Sequence, residues 1–152
     1  MKLSDSFTIQ AKKADVWSVF MDVEKLSSCV PGCKEVTMVS PTRYEALMEV
    51  KVQFMTIHFK ATGELTEAVE DSELKVQMTG QPVALAGLFR NELSVVLEES
   101  GPDATLIHYD MDLQMTGRLA SLGEILMRST VKKAAGEFAE KVQALFSAKQ
   151  SR

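Results

Sequence analysis

The segment 117-GRLASLGEILMRSTVKKAAGEFAEKVQALFSAK-149 spaces Leu119, Leu122, Leu126, Ala134, Phe138, Val142 and Leu145 at intervals of three, four and eight. Such spacing lays one apolar stripe along an α-helix, because side chains three and four residues apart share a helix face. Ser121 and Glu124 have capping-box spacing, so the helix is expected to begin near 117 or to slip to 121. Over about 30 residues it would extend about 45 Å at 1.5 Å per residue, enough to lie across a whole sheet. A stripe of that length needs an apolar layer to cover it.

The preceding residues supply that layer. From 34 to 116 the pattern has period two, the repeat of a strand with one face buried. RYEALMEVKVQF (43–54) sets Tyr44, Ala46, Met48, Val50, Val52 and Phe54 on one side. TIHFKATGELTEA (56–68) alternates Ile57, Phe59, Ala61, Gly63 and Leu65 with polar residues, and ELKVQMTG (73–80) repeats the theme with Leu74, Val76 and Met78. NELSVVLEESGPDATLIHYDMDLQMTG (91–117) reads as a hairpin turning at Ser100-Gly101-Pro102-Asp103. Its second arm brings Ile107, Tyr109, Met111, Leu113 and Met115 to the apolar side. At the N-terminus Phe7 and Ile9 alternate as in a short strand, and Trp17, Phe20 and Met21 then take helical spacing. Asp22 is placed to cap a second short helix, VEKLSSCV (23–30). The fold predicted is α+β: a curved antiparallel sheet wrapped around a long C-terminal helix, with two short helices after the first strand.

Size and charge narrow the function. A chain of 152 residues forms one well-packed domain, expected here over 1–152. Lys and Arg number 17 against 21 Asp and Glu, with no long basic run, so nucleic acid is not an expected partner. Asp5 interrupts the N-terminal stretch where a signal peptide needs an apolar run, and the longest apolar stretch, VALAGLF (83–89), is too short to span a bilayer. The expected location is the cytoplasm, with both cysteines reduced. The chain has 9 methionines, whose flexible thioethers suit a surface that adapts to an apolar ligand.

The two cysteines flank a proline-glycine pair in CVPGC (29–33). A structural zinc needs four Cys or His ligands, and only His58 and His108, both on the polar side of their strands, remain to complete a set. A redox pair needs a low-pKa thiolate, which a predicted helix C-terminus disfavours at Cys29. Pro31 and Gly32 instead suit the two corner positions of a turn between the second helix and the next strand. HYDMD (108–112) sets His108, Asp110 and Asp112 on one strand face, where alternation already demands polar residues. No phosphate-binding loop, dinucleotide fingerprint, zinc-protease motif or nucleophile elbow is present, and neither a catalytic centre nor a metal site is expected.

A curved sheet gripping one helix leaves room between them near one end of the helix, and apolar side chains there would line a pocket. The candidate lining residues are Met48, Phe54, Met78, Tyr109, Met111, Met115, Leu122, Leu126 and Met127. QPVALAGLFRN (81–91) joins two strands, and as a loop it exposes Leu85, Leu88 and Phe89 beside Arg90 at the pocket mouth or a partner surface.

At ADVWSVFMDVEKLSSCVPGCKEV (14–36) and MTGRLASLGEILM (115–127) the chain resembles the carbon monoxide dehydrogenase G-subunit family. Val-Trp, Asp-x-Glu-x-Leu, Cys-x-Pro-Gly and Gly-x-Leu-Ala-x-Leu-Gly follow in that family's order, and the resemblance covers nearly the whole chain. It implies a START-like helix-grip fold and a non-catalytic accessory role beside a molybdenum hydroxylase of the carbon monoxide dehydrogenase type. It implies recruitment of that enzyme to the cytoplasmic membrane as a peripheral contact, or delivery of a quinone or lipid as apolar small molecule, with no intrinsic cofactor. Two alternatives stand beside it: a small cavity enzyme of the polyketide cyclase or hydrolase type, with Tyr109 and a nearby acid moving a proton, and a ligand-free docking module.

Overall fold

The computed structural model describes residues 1–150 apart from Gln53 and Leu85, and excludes the side chains of 148–150. In chain order the elements are β1 (Lys2–Ile9), α1 (Lys13–Phe20), α2 (Val23–Cys29), β2 (Cys33–Ser40), β3 (Arg43–Val52), β4 (Met55–Val69), β5 (Glu73–Pro82), β6 (Phe89–Gly101), β7 (Ala104–Met115), α3 (Gly117–Ala120) and α4 (Glu124–Gln150). The seven strands form one antiparallel sheet in the order β1-β7-β6-β5-β4-β3-β2. Every neighbour except the β1–β7 pair is thus consecutive in the chain, and β1 reaches the far edge because α1, α2 and the meander lie between it and β7. Register shifts in the β2–β3, β4–β5 and β6–β7 pairs insert extra residues, and each such bulge bends and twists its strand locally.

The α2 start is capped as its sequence requires, the Asp22 carboxylate accepting from the backbone N–H groups of Glu24 and Lys25 at 3.1 and 3.2 Å. Pro31 and Gly32 form the corner that follows. The Cys33 N–H donates to the Val30 carbonyl across it, and Gly32 takes φ +80°, as the second corner of a type II turn demands.

Two readings of the sequence need correction. The single helix from 117 or 121 is two: α3 ends at Ala120, Gly123 turns the chain at φ +90°, and α4 runs 27 residues from Glu124, about 40 Å. The Ser121 hydroxyl donates to the Arg118 carbonyl at 2.6 Å, so it closes α3 and caps nothing in α4. Phe54 does not belong to the apolar face. Val52 pairs with Met55 to close the β3–β4 hairpin, alternation therefore stops at Val52, and Phe54 is 104% exposed at the tip.

The core is split. One cluster joins α1, α2 and the later turns of α4 to β1 and β5–β7, with Val16 and Val142 wholly buried. Phe138 of α4 meets Phe7 edge-on at 6.3 Å and Phe20 at 6.0 Å, which fixes how α4 crosses β1 and α1. The second cluster lies at the other end of α4 and holds Val52, Ile57, Phe59 and Leu119, with Met48, Val50, Phe89, Met115, Leu122 and Leu126 packed half-buried around them.

Candidate functional site

The strand registers define the sheet face that looks towards α4. One row across it runs Tyr44, Gly63, Met78, Asn91, Leu113, and the next runs Ala46, Ala61, Gly80, Phe89, Met115. Gly63 in the first row and Ala46, Ala61 and Gly80 in the second are small. Gly80 is closely covered: a Cβ there would fall 1.9 Å from the Phe89 ring, which lies over it and meets Phe59 edge-on at 5.4 Å.

The expected lining residues separate into groups on this frame. Met48, Met115, Leu122 and Leu126 gather around the second cluster, whereas Tyr109 and Met111 belong to the first. Met78 and Met127 are half-buried and belong to neither cluster. A groove of about 790 Å³ opens along the start of α4, lined by Leu122, Gly123, Glu124, Ile125, Leu126 and Ser129. Of the expected pocket residues, Leu122 and Leu126 line this groove.

In the β5–β6 connection Leu88 is 51% exposed and Leu85 lies outside the described residues, whereas Arg90 is an exposed residue of β6, paired with Thr79. Phe89 corrects the loop reading, since it opens β6 half-buried on Phe59. The connection is tied down on both sides. The Val83 N–H donates to the His58 carbonyl at 2.8 Å, and the Arg118 N–H donates to the Ala86 carbonyl at 2.8 Å.

Sequence reasoning passed over three features. Asn91 is in phase with Leu93, Val95 and Leu97, and its side chain is buried to 7% exposure. Asp5 is in phase with Phe7 and pairs with Tyr109 on the same face, at the open edge of the sheet. Phe54, Met55, Val83, Leu88 and Ile125 are exposed apolar side chains at the second-cluster end of the molecule. Alternation alone flags the first two; the third requires knowing which hairpin tips and helix ends meet.

Burial, reinforced by the Asp5 carboxylate, raises the Tyr109 phenol above its ordinary value of 10.0. A group whose folded pKa is raised holds its proton longer folded than unfolded. Its contribution to stability is therefore full below the unfolded value of about 10 and is lost as pH rises from there through the folded value. Tyr109→Phe is expected to flatten the alkaline loss of stability, measured by urea unfolding on either side of that pH. A steepened loss in the variant would contradict the assignment.

His108 Nε2 lies 3.3 Å from the exposed Asp110 carboxylate on the outer face, where Asp110 also accepts from the Ser4 hydroxyl. Cys29 and Cys33 are free thiols, and burial raises the Cys33 pKa, against a smaller opposing effect of a backbone hydrogen bond from Glu35. Among the described residues no group of three or more His, Cys, Asp or Glu is placed to hold a metal ion, and no helix is long and apolar enough to cross a membrane.

Comparison with solved structures recovers the same architecture. A conserved protein from Geobacillus kaustophilus, 21% identical, superposes with a TM-score of 0.90 over 97% of this chain and 96% of its own. A START superfamily protein from Mycobacterium smegmatis, 15% identical, gives 0.73 over 94% of each chain. The Zhui aromatase/cyclase from Streptomyces sp. R1128, 12% identical, gives 0.68 over 100% of this chain and 96% of that one. At these identities the likeness is one of fold. No curated protein matches the sequence significantly. The family model for the G subunit of carbon monoxide dehydrogenase (CoxG) matches residues 6–146, from the middle of β1 almost to the end of α4. With a match of that extent on a helix-grip architecture, the chain belongs to the CoxG family of carbon monoxide dehydrogenase.

Proposed function

We propose that this protein is a non-catalytic accessory protein that takes up an apolar small molecule, a quinone or lipid, between the sheet and α4. It serves a molybdenum hydroxylase of the carbon monoxide dehydrogenase type by delivering that molecule as electron acceptor or by bringing the enzyme to the membrane. The observation that carries this reading is the split core. Between its two clusters the inner face is apolar apart from Asn91, its methionines are half-buried, and Gly63 and Gly80 lie on the central strands β4 and β5. Apolar surface left incompletely covered by its own chain is stabilised by a ligand that covers it, at about 25 cal/mol per Å² before ordering costs.

Solvent extraction of the purified protein followed by mass spectrometry is the direct test. A co-purified apolar molecule, or uptake of decylubiquinone by the empty protein, is the expected result. An empty protein that refuses decylubiquinone yet still captures the hydroxylase would replace this reading with a docking module.

The second-cluster end supports the membrane part of the proposal. Its exposed apolar side chains include Phe54 at the β3–β4 tip and Ile125, 88% exposed, in the first turn of α4. The stretches 51–60, 81–90 and 116–128 carry Lys51, Lys60, Arg90, Arg118 and Arg128 against one carboxylate, Glu124, in a chain of net charge -4. That carboxylate is itself paired with Arg128 at 2.8 Å. Apolar tips ringed by cations suit an anionic bilayer surface. The double variant Phe54→Ser, Ile125→Ser is expected to weaken co-sedimentation with phosphatidylglycerol vesicles roughly tenfold or more, since each side chain contributes on the order of 1.5 kcal/mol on burial. Sedimentation at the wild-type level would remove this end as the contact.

The enzyme reading has one observation in its favour, the Asp5–Tyr109 pair on the inner face. Its electrostatics run against proton transfer. A phenol with a raised pKa stays protonated near neutrality and is a poorer acid than free tyrosine.

A further inference from the structure

Among the described inner-face positions of β5, and of β6 from Phe89 to Leu97, Asn91 is the one that carries a polar side chain. It is 7% exposed, and its carboxamide oxygen has no hydrogen-bond partner. Its amide nitrogen reaches only the Met111 sulfur, at 3.8 Å, a weak acceptor. Thr105, the other buried polar residue of the sheet, is by contrast satisfied, its hydroxyl donating to the Ala11 carbonyl at 2.8 Å. A buried carbonyl left without a donor destabilises the folded chain, and an apolar residue of the same shape would remove that penalty. Asn91 stands between Met78 and Leu113 in its row, two residues along β6 from the Phe89 that covers Gly80, and between the two core clusters. An apolar ligand taken up between sheet and α4 would meet this face of β6.

We infer that Asn91 is the polar anchor of the ligand site and that it selects a neutral apolar molecule bearing a hydroxyl, whose O–H donates to the Asn91 carboxamide oxygen. Neutrality follows from the surroundings. The inward positions paired across β3 to β7 carry no Lys or Arg, so a carboxylate or phosphate head would be buried there without a counter-charge. Donation by the ligand follows from the free group being an acceptor. An ether or ester of the same shape offers no proton and leaves the carbonyl unpaired. The inference rests on the proposal that an apolar ligand is taken up here, and adds what the ligand's head must be.

The experiment is calorimetric titration with para-octylphenol, its methyl ether para-octylanisole, and para-octylbenzoate. The phenol is expected to bind roughly tenfold more tightly than the ether, as one added buried hydrogen bond would give, and the benzoate more weakly than both. Asn91→Leu should bring the phenol-to-ether ratio to about one, leave ether binding unchanged or stronger, and leave the melting temperature of the empty protein unchanged or higher. Equal binding of phenol and ether by the wild-type protein overturns the inference, as it would if an internal water satisfied Asn91. A tenfold ratio that survives Asn91→Leu assigns the hydroxyl to another residue and also overturns it. A large fall in the melting temperature of the empty variant would make Asn91 a structural group. Absence of binding by all three compounds would instead overturn the ligand-uptake reading beneath it.

Discussion

Replacing Gly32 by valine is expected to remove about 3 kcal/mol or more of folding stability, lowering the melting temperature by roughly 6 °C or more in a domain of this size. Two effects combine. At φ +80° a β-branched residue is strained wherever it stands, and here the added Cβ would fall 2.0 Å from the Glu49 carbonyl oxygen. That contact is with backbone, so no rotamer change relieves it. The strand cannot retreat cheaply either, because the Glu49 N–H donates to the Gly32 carbonyl at 2.8 Å and thereby seats the corner on β3. Pro31→Ala is the control. It leaves that hydrogen bond in place and chiefly frees the unfolded chain, for a loss of about 1 kcal/mol or less. Equilibrium urea unfolding of both variants checks the pair. A Gly32→Val protein as stable as wild type would show that the corner is not seated on β3 as described.

Leu119→Ala is expected to cost about 2 to 5 kcal/mol, the range for a buried leucine truncated where neighbours relax only in part. Leu119 is 1% exposed and is the residue by which α3 enters the second cluster, with Val52, Ile57 and Phe59. The loss should be uneven. This cluster is separate from the one that holds α1, α2 and the later turns of α4, so its opening need not unfold the rest. Hydrogen exchange is expected to accelerate in 82–89 and 117–126, while β1, β7 and residues 138–146 stay protected. Uniform acceleration along the chain would mean that the two clusters act as one cooperative core.

Most of the architecture was legible because it depends on periodicities that any exposed or buried face must obey. The alternation of 43–52, 57–65, 91–97 and 105–115 places each strand's inner side correctly, and Pro31-Gly32 at the end of a capped helix marks a corner on conformational grounds alone. The misreadings fall where a local pattern continues past the point at which the chain turns. Phe54 is in phase with Val52, yet the hairpin closes between Val52 and Met55. Leu119 and Leu122 are in phase with Leu126, yet Gly123 breaks the helix between them.

The candidate site was less legible, since its residues are selected by what remains uncovered and not by pattern. Asn91 illustrates the difference. Its phase marks it as inward from the sequence, but only the neighbours assembled from β5, β7 and the separated clusters show that its carbonyl finds no donor.

By itself the order of residues determined the strand faces, the short helices, the corner at Pro31-Gly32 and the family, because these follow from side-chain repeats and backbone preferences acting within a few residues. Only the tertiary structure decided that the core divides in two, that Phe54 and Ile125 are exposed at one end, and that Asn91 lies buried and half-unpaired. Those depend on which surfaces compete for the same cover, and that competition is between segments far apart in the chain.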